Sequence, residues 1–370
     1  MAYSFNKLWA VMTVSLATAA NVVTAYSGQW TDGDSYNTSC PSPRPVCGSC
    51  GSWYFDAEAL FWKAHEDGLG YALRNFSNPT ADSTSVTASR IQNPHSNWDV
   101  GYRIGVGYDF NCDCWDVSAY WTHFQTKAKG HSTAPTTDGT LTSLWSSIDI
   151  TGNANGLSTV DSHWKLRLDY ADFVLGREFC ISPCVTLRPF IGVRAAWIKQ
   201  KYNIFEGARQ TSGGEVVLIN TSDINLRSEF DGAGLIAGLD SQWNVGCGFS
   251  VYGTASASIL YGRKHSHSED SAFFPSSTPS ESVLERGILR DHRHGSTYAA
   301  DAALGLRWKR CFCDDTVLFT IQLGWEQHLF FDQNRFEKVP VVTTFNGEHP
   351  QIQRSDLCVQ GITLGAKIDF

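Results

Sequence analysis

Residues 98–110 read "WDVGYRIGVGYDF". From Trp98 through Val100, Tyr102, Ile104, Val106 and Tyr108 to Phe110, every second residue is apolar or aromatic, and Asp99, Gly101, Arg103, Gly105, Gly107 and Asp109 fall between them. Side chains of an extended strand point alternately to its two faces. This stretch therefore has one oily face and one wet face, over a length that crosses a bilayer at a tilt. A half-buried soluble strand would read the same way, so the flanking sequence has to discriminate.

The alternation recurs near 53–64, 115–124, 163–177, 185–200, 230–243, 249–261, 298–308, 317–329 and 358–370, which makes ten segments. The weakest are 230–243 and 163–177; in the latter the pattern slips between Tyr170 and Phe173, where a bulge is expected. The connections alternate long and short: 65–97, then "NCDC"; 125–162, then "FCISPC"; 201–229, then "NVGCG"; 262–297, then "KRCFCDD"; and finally 330–357. This predicts an all-β fold, an up-and-down antiparallel transmembrane barrel of about ten strands with short periplasmic turns and long external loops. A further hairpin inside 65–97 or 330–357 would raise the number to twelve. Two aromatic belts agree with this topology. Trp53, Phe110, Trp115, Trp243, Phe249, Trp308 and Phe370 fall at the short-turn ends, and Trp98, Trp121, Trp164, Trp197, Tyr261, Tyr298 and Trp325 at the long-loop ends.

Lys7 precedes an apolar run from Leu8 to Val23 that ends in small residues, so residues 1–25 read as a cleaved Sec-type signal peptide. Residues 26–52 then form a cysteine-containing periplasmic segment and 53–370 the barrel, which places the chain in a bacterial outer membrane as a multi-pass protein. The formal charge of −8 argues against a nucleic-acid partner. The last ten residues, "GITLGAKIDF", alternate up to the terminal Phe370. A final strand of this kind closes on the first and leaves no open edge in lipid. A terminal aromatic also resembles the signal read by barrel-assembly machinery.

"WYFDAEALFWKAHEDGLGYAL" near the start of the mature chain, "LRPFIGVRAAWIKQKY" at 187–202 and "FDGAGLIAGLDSQW" at 230–243 resemble the Legionella-type major outer membrane porin family. The architecture is also similar to that of chlamydial major outer membrane proteins. The resemblance covers most of the mature chain and implies a pore-forming, disulfide-rich barrel. It brings no catalytic or selectivity motif.

A ten-stranded barrel has a backbone radius of roughly 10 Å, so its inward side chains decide whether water passes. The inward positions expected from the alternation are Asp56, Glu58, Asp99, Arg103, Asp109 and Asp116 on an acidic wall. Lys165, Arg167, Asp169, Arg188 and Arg194 form a mostly basic wall, with Asp301, Arg307, Glu326 and Lys367 beyond. Opposed walls would orient dipolar solutes in a pore; cross-lumen salt bridges would instead plug it. Gly101, Gly105 and Gly107 leave room on one strand, or merely relieve crowding. Small polar Ser250, Thr254, Ser256 and Ser258 line another.

Eleven cysteines in an exported chain imply disulfides. The candidates are Cys40, Cys47, Cys50, Cys112, Cys114, Cys180, Cys184, Cys247, Cys311 and Cys313, all at the short-turn side, with Cys358 the exception. They could staple the turns internally, or link barrels into a homo-oligomer or a crosslinked envelope. No metal or cofactor is expected, although His265, His267, His292 and His294 could approach one another if their hairpin extends. The expected function is a porin passing small hydrophilic solutes and ions, in contact with outer-membrane lipid and with no enzymatic role. A closed, disulfide-crosslinked structural or adhesive barrel is the alternative. An omptin-like surface protease using residues such as His123 and Asp161 is a weaker third, since nothing pairs them convincingly.

Overall fold

Strands whose outward faces are oily avoid an edge in lipid by pairing into a ring, and the ten expected segments do so. The computed structural model describes residues 51–79, 85–110, 114–134, 139–151, 156–212, 215–276, 282–312, 317–338 and 352–370. The signal peptide, nearly all of 26–52, and Cys40, Cys47, Cys50, Cys112 and Cys313 lie outside the described residues. In chain order the elements are β1 (Ser52–Glu66), β2 (Ala72–Pro79), β3 (Ser85–Gln92), β4 (His95–Ser96), β5 (Asp99–Asp109), β6 (Trp115–Thr133), β7 (Gly139–Ser143) and β8 (Thr159–Arg177). There follow β9 (Phe179–Ser182), β10 (Val185–Ser212), β11 (Glu215–Gly246), β12 (Phe249–Phe274), β13 (Val283–Phe312), β14 (Val317–Glu337) and β15 (Ile352–Asp369).

The ring runs β1-β5-β6-β8-β10-β11-β12-β13-β14-β15 and returns to β1, antiparallel throughout. The chain's end forms the seam: Trp53 and Phe370 exchange backbone hydrogen bonds of 3.0 and 2.9 Å, and the Phe370 ring stacks on Phe55 at 5.8 Å. Segment 65–97 does contain a hairpin, β2–β3. It joins β7 in a separate three-stranded sheet and adds nothing to the wall.

Several strands run far beyond the long-loop belt; β10 and β11 pair from Val185↔Trp243 to Ser212↔Glu215. Belt residues Trp53, Phe110, Trp115, Phe249 and Phe370 at one level, and Trp98, Trp121, Trp197, Tyr261, Tyr298 and Trp325 at the other, are exposed on the outer surface. Trp164 is the correction: it is fully buried inside and donates to Gln200 Oε1 at 3.0 Å. Strand β8 carries no bulge against β10. Its inward face is Trp164, Leu166, Leu168, Tyr170 and Val174, so the change of pattern near Tyr170 is an exchange of polarity between two faces that keep their direction.

Candidate functional site: the lumen

Inward side chains of β1, β5, β10, β13 and β14 meet in the half of the lumen nearer the short turns, around a cavity of about 350 Å³. Eleven of the expected residues line it: Asp56, Glu58, Arg103, Asp109, Asp116, Arg188, Arg194, Asp301, Arg307, Glu326 and Lys367. They are not sorted into two walls. Arg103 bonds Glu58 at 2.5 Å and Glu326 at 2.9 Å. Arg188 bridges Asp116 and Asp240. Arg194 bridges Asp172 and Asp301, both at 2.6 Å. His328, absent from the expected set, links Asp301 at 2.7 Å to Glu326 at 3.2 Å. The chain Glu58–Arg103–Glu326–His328–Asp301–Arg194–Asp172 thus crosses the interior as one belt of alternating sign, because a charge in a narrow barrel is stable only beside a partner. Such interleaving weakens the transverse field that separated walls would make.

Four expected positions lie outside the cavity. Asp99 accepts from Thr126 Oγ1 at 2.5 Å. Lys165 and Arg167 are exposed on the outer face of β8, and Asp169 is held there by His123 at 2.6 Å and Arg167 at 2.8 Å. The oily-means-outward rule had inverted this half-strand. The strand-β5 glycines leave no passage: a Cβ on Gly105 would meet Tyr120 at 2.4 Å, one on Gly107 would meet Tyr54 at 2.2 Å, and one on Gly101 would meet the backbone of His123 at 2.6 Å. They make room for packed neighbours.

Above the belt the inward face turns apolar. Leu60, Trp62, Phe124, Leu166, Leu168, Ile198 and Ile204 are fully buried, or nearly so, in one cluster. Residues 139–151 pack into it. Trp145 is edge-on to Tyr202 and Phe336, with centroids 6.1 and 6.2 Å away, and donates from Nε1 to Gly70 O at 2.7 Å. The backbone N–H and hydroxyl of Ser147 both donate to Asp270 Oδ2 at 2.7 Å, and Ser143 donates to Glu206. Asn220 Nδ2 donates to Ile150 O at 2.8 Å. Glu206 stands well beyond the belt residue Trp197; burial, followed by nearby Asp270, pushes its carboxyl up to about 8 against the Ser143 bond.

Residues 46–370 match the family described as Legionella pneumophila major outer membrane protein precursor. The chain belongs to that family. The outer-membrane barrel read from the alternation is therefore the fold of a Legionella major outer membrane protein. Among curated proteins, none matches. Among solved structures, the outer membrane protease OmpT of Escherichia coli aligns at 10% identity and TM-score 0.32, covering 86% of this chain and 96% of that one. A Pseudomonas aeruginosa FadL homologue aligns at 10% identity and TM-score 0.28, covering 87% and 90%. Ail of Yersinia pestis aligns at 14% identity and TM-score 0.21, covering 67% and 100%.

In this Legionella-family barrel three of the disulfide candidates, Cys114, Cys180 and Cys247, are free thiols. A disulfide requires Cα atoms within about 7 Å, whereas short turns are distributed around a rim; Cys114 and Cys247 also occupy left-handed turn positions, φ 58° and 53°. Cys184 and Cys311 are not free. His265 and His292 pair directly across β12 and β13, with Nδ1 atoms 2.5 Å apart on the outer face. Among the described residues no three potential ligands gather as a metal site. His131 and Asp161 pair at 2.6 Å on the exposed outer face of β6 and β8.

Proposed function

We propose that this family member is a pore-forming protein of the outer membrane, exported through its signal peptide and passing small hydrophilic solutes and ions. The observation that carries the reading is the polar cavity of about 350 Å³ inside a strand ring whose outer face is apolar. A lipid-facing shell around a charged interior is the arrangement a diffusion channel requires. With the 139–151 segment in place the long-loop half is filled, so conduction requires that segment to leave. Assembly through the Phe370 terminus belongs to the same proposal, as does stapling of the short turns by the cysteines that are not free.

A second reading, a closed envelope barrel, is favoured by the dry packing of Trp145 among Tyr202 and Phe336. Single-channel recording in planar bilayers separates the two. Stepwise current from barrels shown to be folded by heat-modifiable gel mobility supports the pore. Silence from both the native protein and Trp145→Ala, each folded, supports the closed barrel.

A further inference from the structure

Most charged lumen groups described above meet a group of opposite sign, but two neighbouring cations do not. Arg307 and Lys309 are successive inward residues of β13, near its short-turn end, and both line the cavity. Arg307 donates from Nη1 to Gln242 Oε1 at 3.1 Å, and from Nε and Nη2 to Gln322 Oε1 at 3.2 and 2.9 Å. Lys309 Nζ donates to the same Gln242 oxygen at 3.0 Å. Among the described residues neither cation has a carboxylate within ion-pair distance. Asp369, on the same cavity, is paired with Lys367 at 2.7 Å instead.

Two cations converging on one neutral amide oxygen hold that atom where an anion's oxygen would be bound more strongly. Gln242 is itself held in place, its Nε2 donating to Asn244 Oδ1 at 2.9 Å. Tyr252 supplies an independent sign: it is 5% exposed, lines the cavity, carries the Arg307 guanidinium 4.8 Å over its ring, and its hydroxyl has no hydrogen-bond partner among the described residues. We propose that Arg307, Lys309 and the Tyr252 hydroxyl form a binding site for a small oxyanion, phosphate or carboxylate, at the short-turn end of the lumen. The guanidinium fork takes two oxygens, the ammonium shares one, and the phenol donates to a third. The site needs only access from the short-turn end, so it stands whether or not the long-loop half opens.

The test is calorimetric titration of the folded, detergent-solubilised barrel with inorganic phosphate, and separately with acetate, at constant ionic strength set by chloride. Saturable binding that weakens at least tenfold in Arg307→Gln/Lys309→Gln, and is unchanged in Arg310→Gln on the exposed neighbouring position, supports the site. Tighter phosphate than acetate assigns a phosphate ligand; the reverse assigns a carboxylate-bearing solute. Heat that chloride reproduces equally, no saturable heat from either anion, or binding retained in the folded double variant overturns the proposal.

Discussion

Arg103 is the residue on which the lumen belt turns. Its guanidinium meets Glu58 and Glu326 and also donates to Thr122 Oγ1 at 2.9 Å and the Tyr170 hydroxyl at 3.1 Å. Removing it leaves two carboxylates facing each other in a buried site. Arg103→Ala is therefore expected to lower stability by about 3–5 kcal/mol, as when one partner of a buried pair is lost. Urea-driven unfolding, followed by tryptophan fluorescence in detergent, measures this. Arg103→Met/Glu58→Met/Glu326→Met should recover much of the loss, because no orphan charge remains. A stability equal to the native protein's in Arg103→Ala would show that the belt contributes little. The inward position of Arg103 was legible from its place in "WDVGYRIGVGYDF". Its bond to Glu326 was not, because that residue comes from a strand far away in sequence that only the ring brings near.

At the scale of the element, β8 shows where sequence reading fails and why. Near the short turns its outward residues Phe173 and Leu175 are apolar and exposed. Beyond Asp169 the outer face carries Asp161, His163, Lys165 and Arg167, while Trp164, Leu166 and Leu168 point inward. Strand β10 does the same, with Lys199 and Lys201 outside and Ile198 and Tyr202 inside. The strand leaves lipid for water while its interior acquires a folded segment to pack against, so oily and wet exchange faces although the pleat never slips. Alternation alone reports contrast and not direction.

The inserted segment 139–151 that causes this exchange is held by one wedge and two carboxylates. Trp145→Ala should cost about 3–5 kcal/mol of local docking energy, the usual loss for a buried indole. It should appear as faster hydrogen exchange and proteolysis confined to 139–151. The Ser143–Glu206 contact adds a pH dependence. With its pKa raised from 4.5 to about 8 in the docked state, Glu206 favours docking fully at low pH. Once undocked, the carboxyl ionises at its ordinary value, so docking weakens as pH climbs from about 4.5 to about 8 and levels off above. Exchange protection of the Ser147 amide should fall over that window, and Glu206→Gln should flatten the fall. A pH-independent profile in the native protein would remove Glu206 from the latch.

For the whole barrel, two halves of different character are stacked along one lumen: a charged, cavity-bearing half within the aromatic belts and a dry half where the wall extends beyond them. The first half already contains polar surface and space, so the second is the half whose packing has to rearrange first for a continuous water path. Weakening the wedge and the latch together, in Trp145→Ala/Asp270→Asn, should thus raise the frequency of stepwise conductance in planar bilayers at least tenfold over the native protein. Unitary current should stay the same, because the Arg103–Glu326 belt below is untouched by either substitution. A change in unitary current with no change in opening frequency would place the constriction in the 139–151 segment itself. If the folded variant stays silent, the belt and not the plug closes the lumen, and the ion-paired chain from Glu58 to Asp172 is then a structural cross-brace of a sealed barrel.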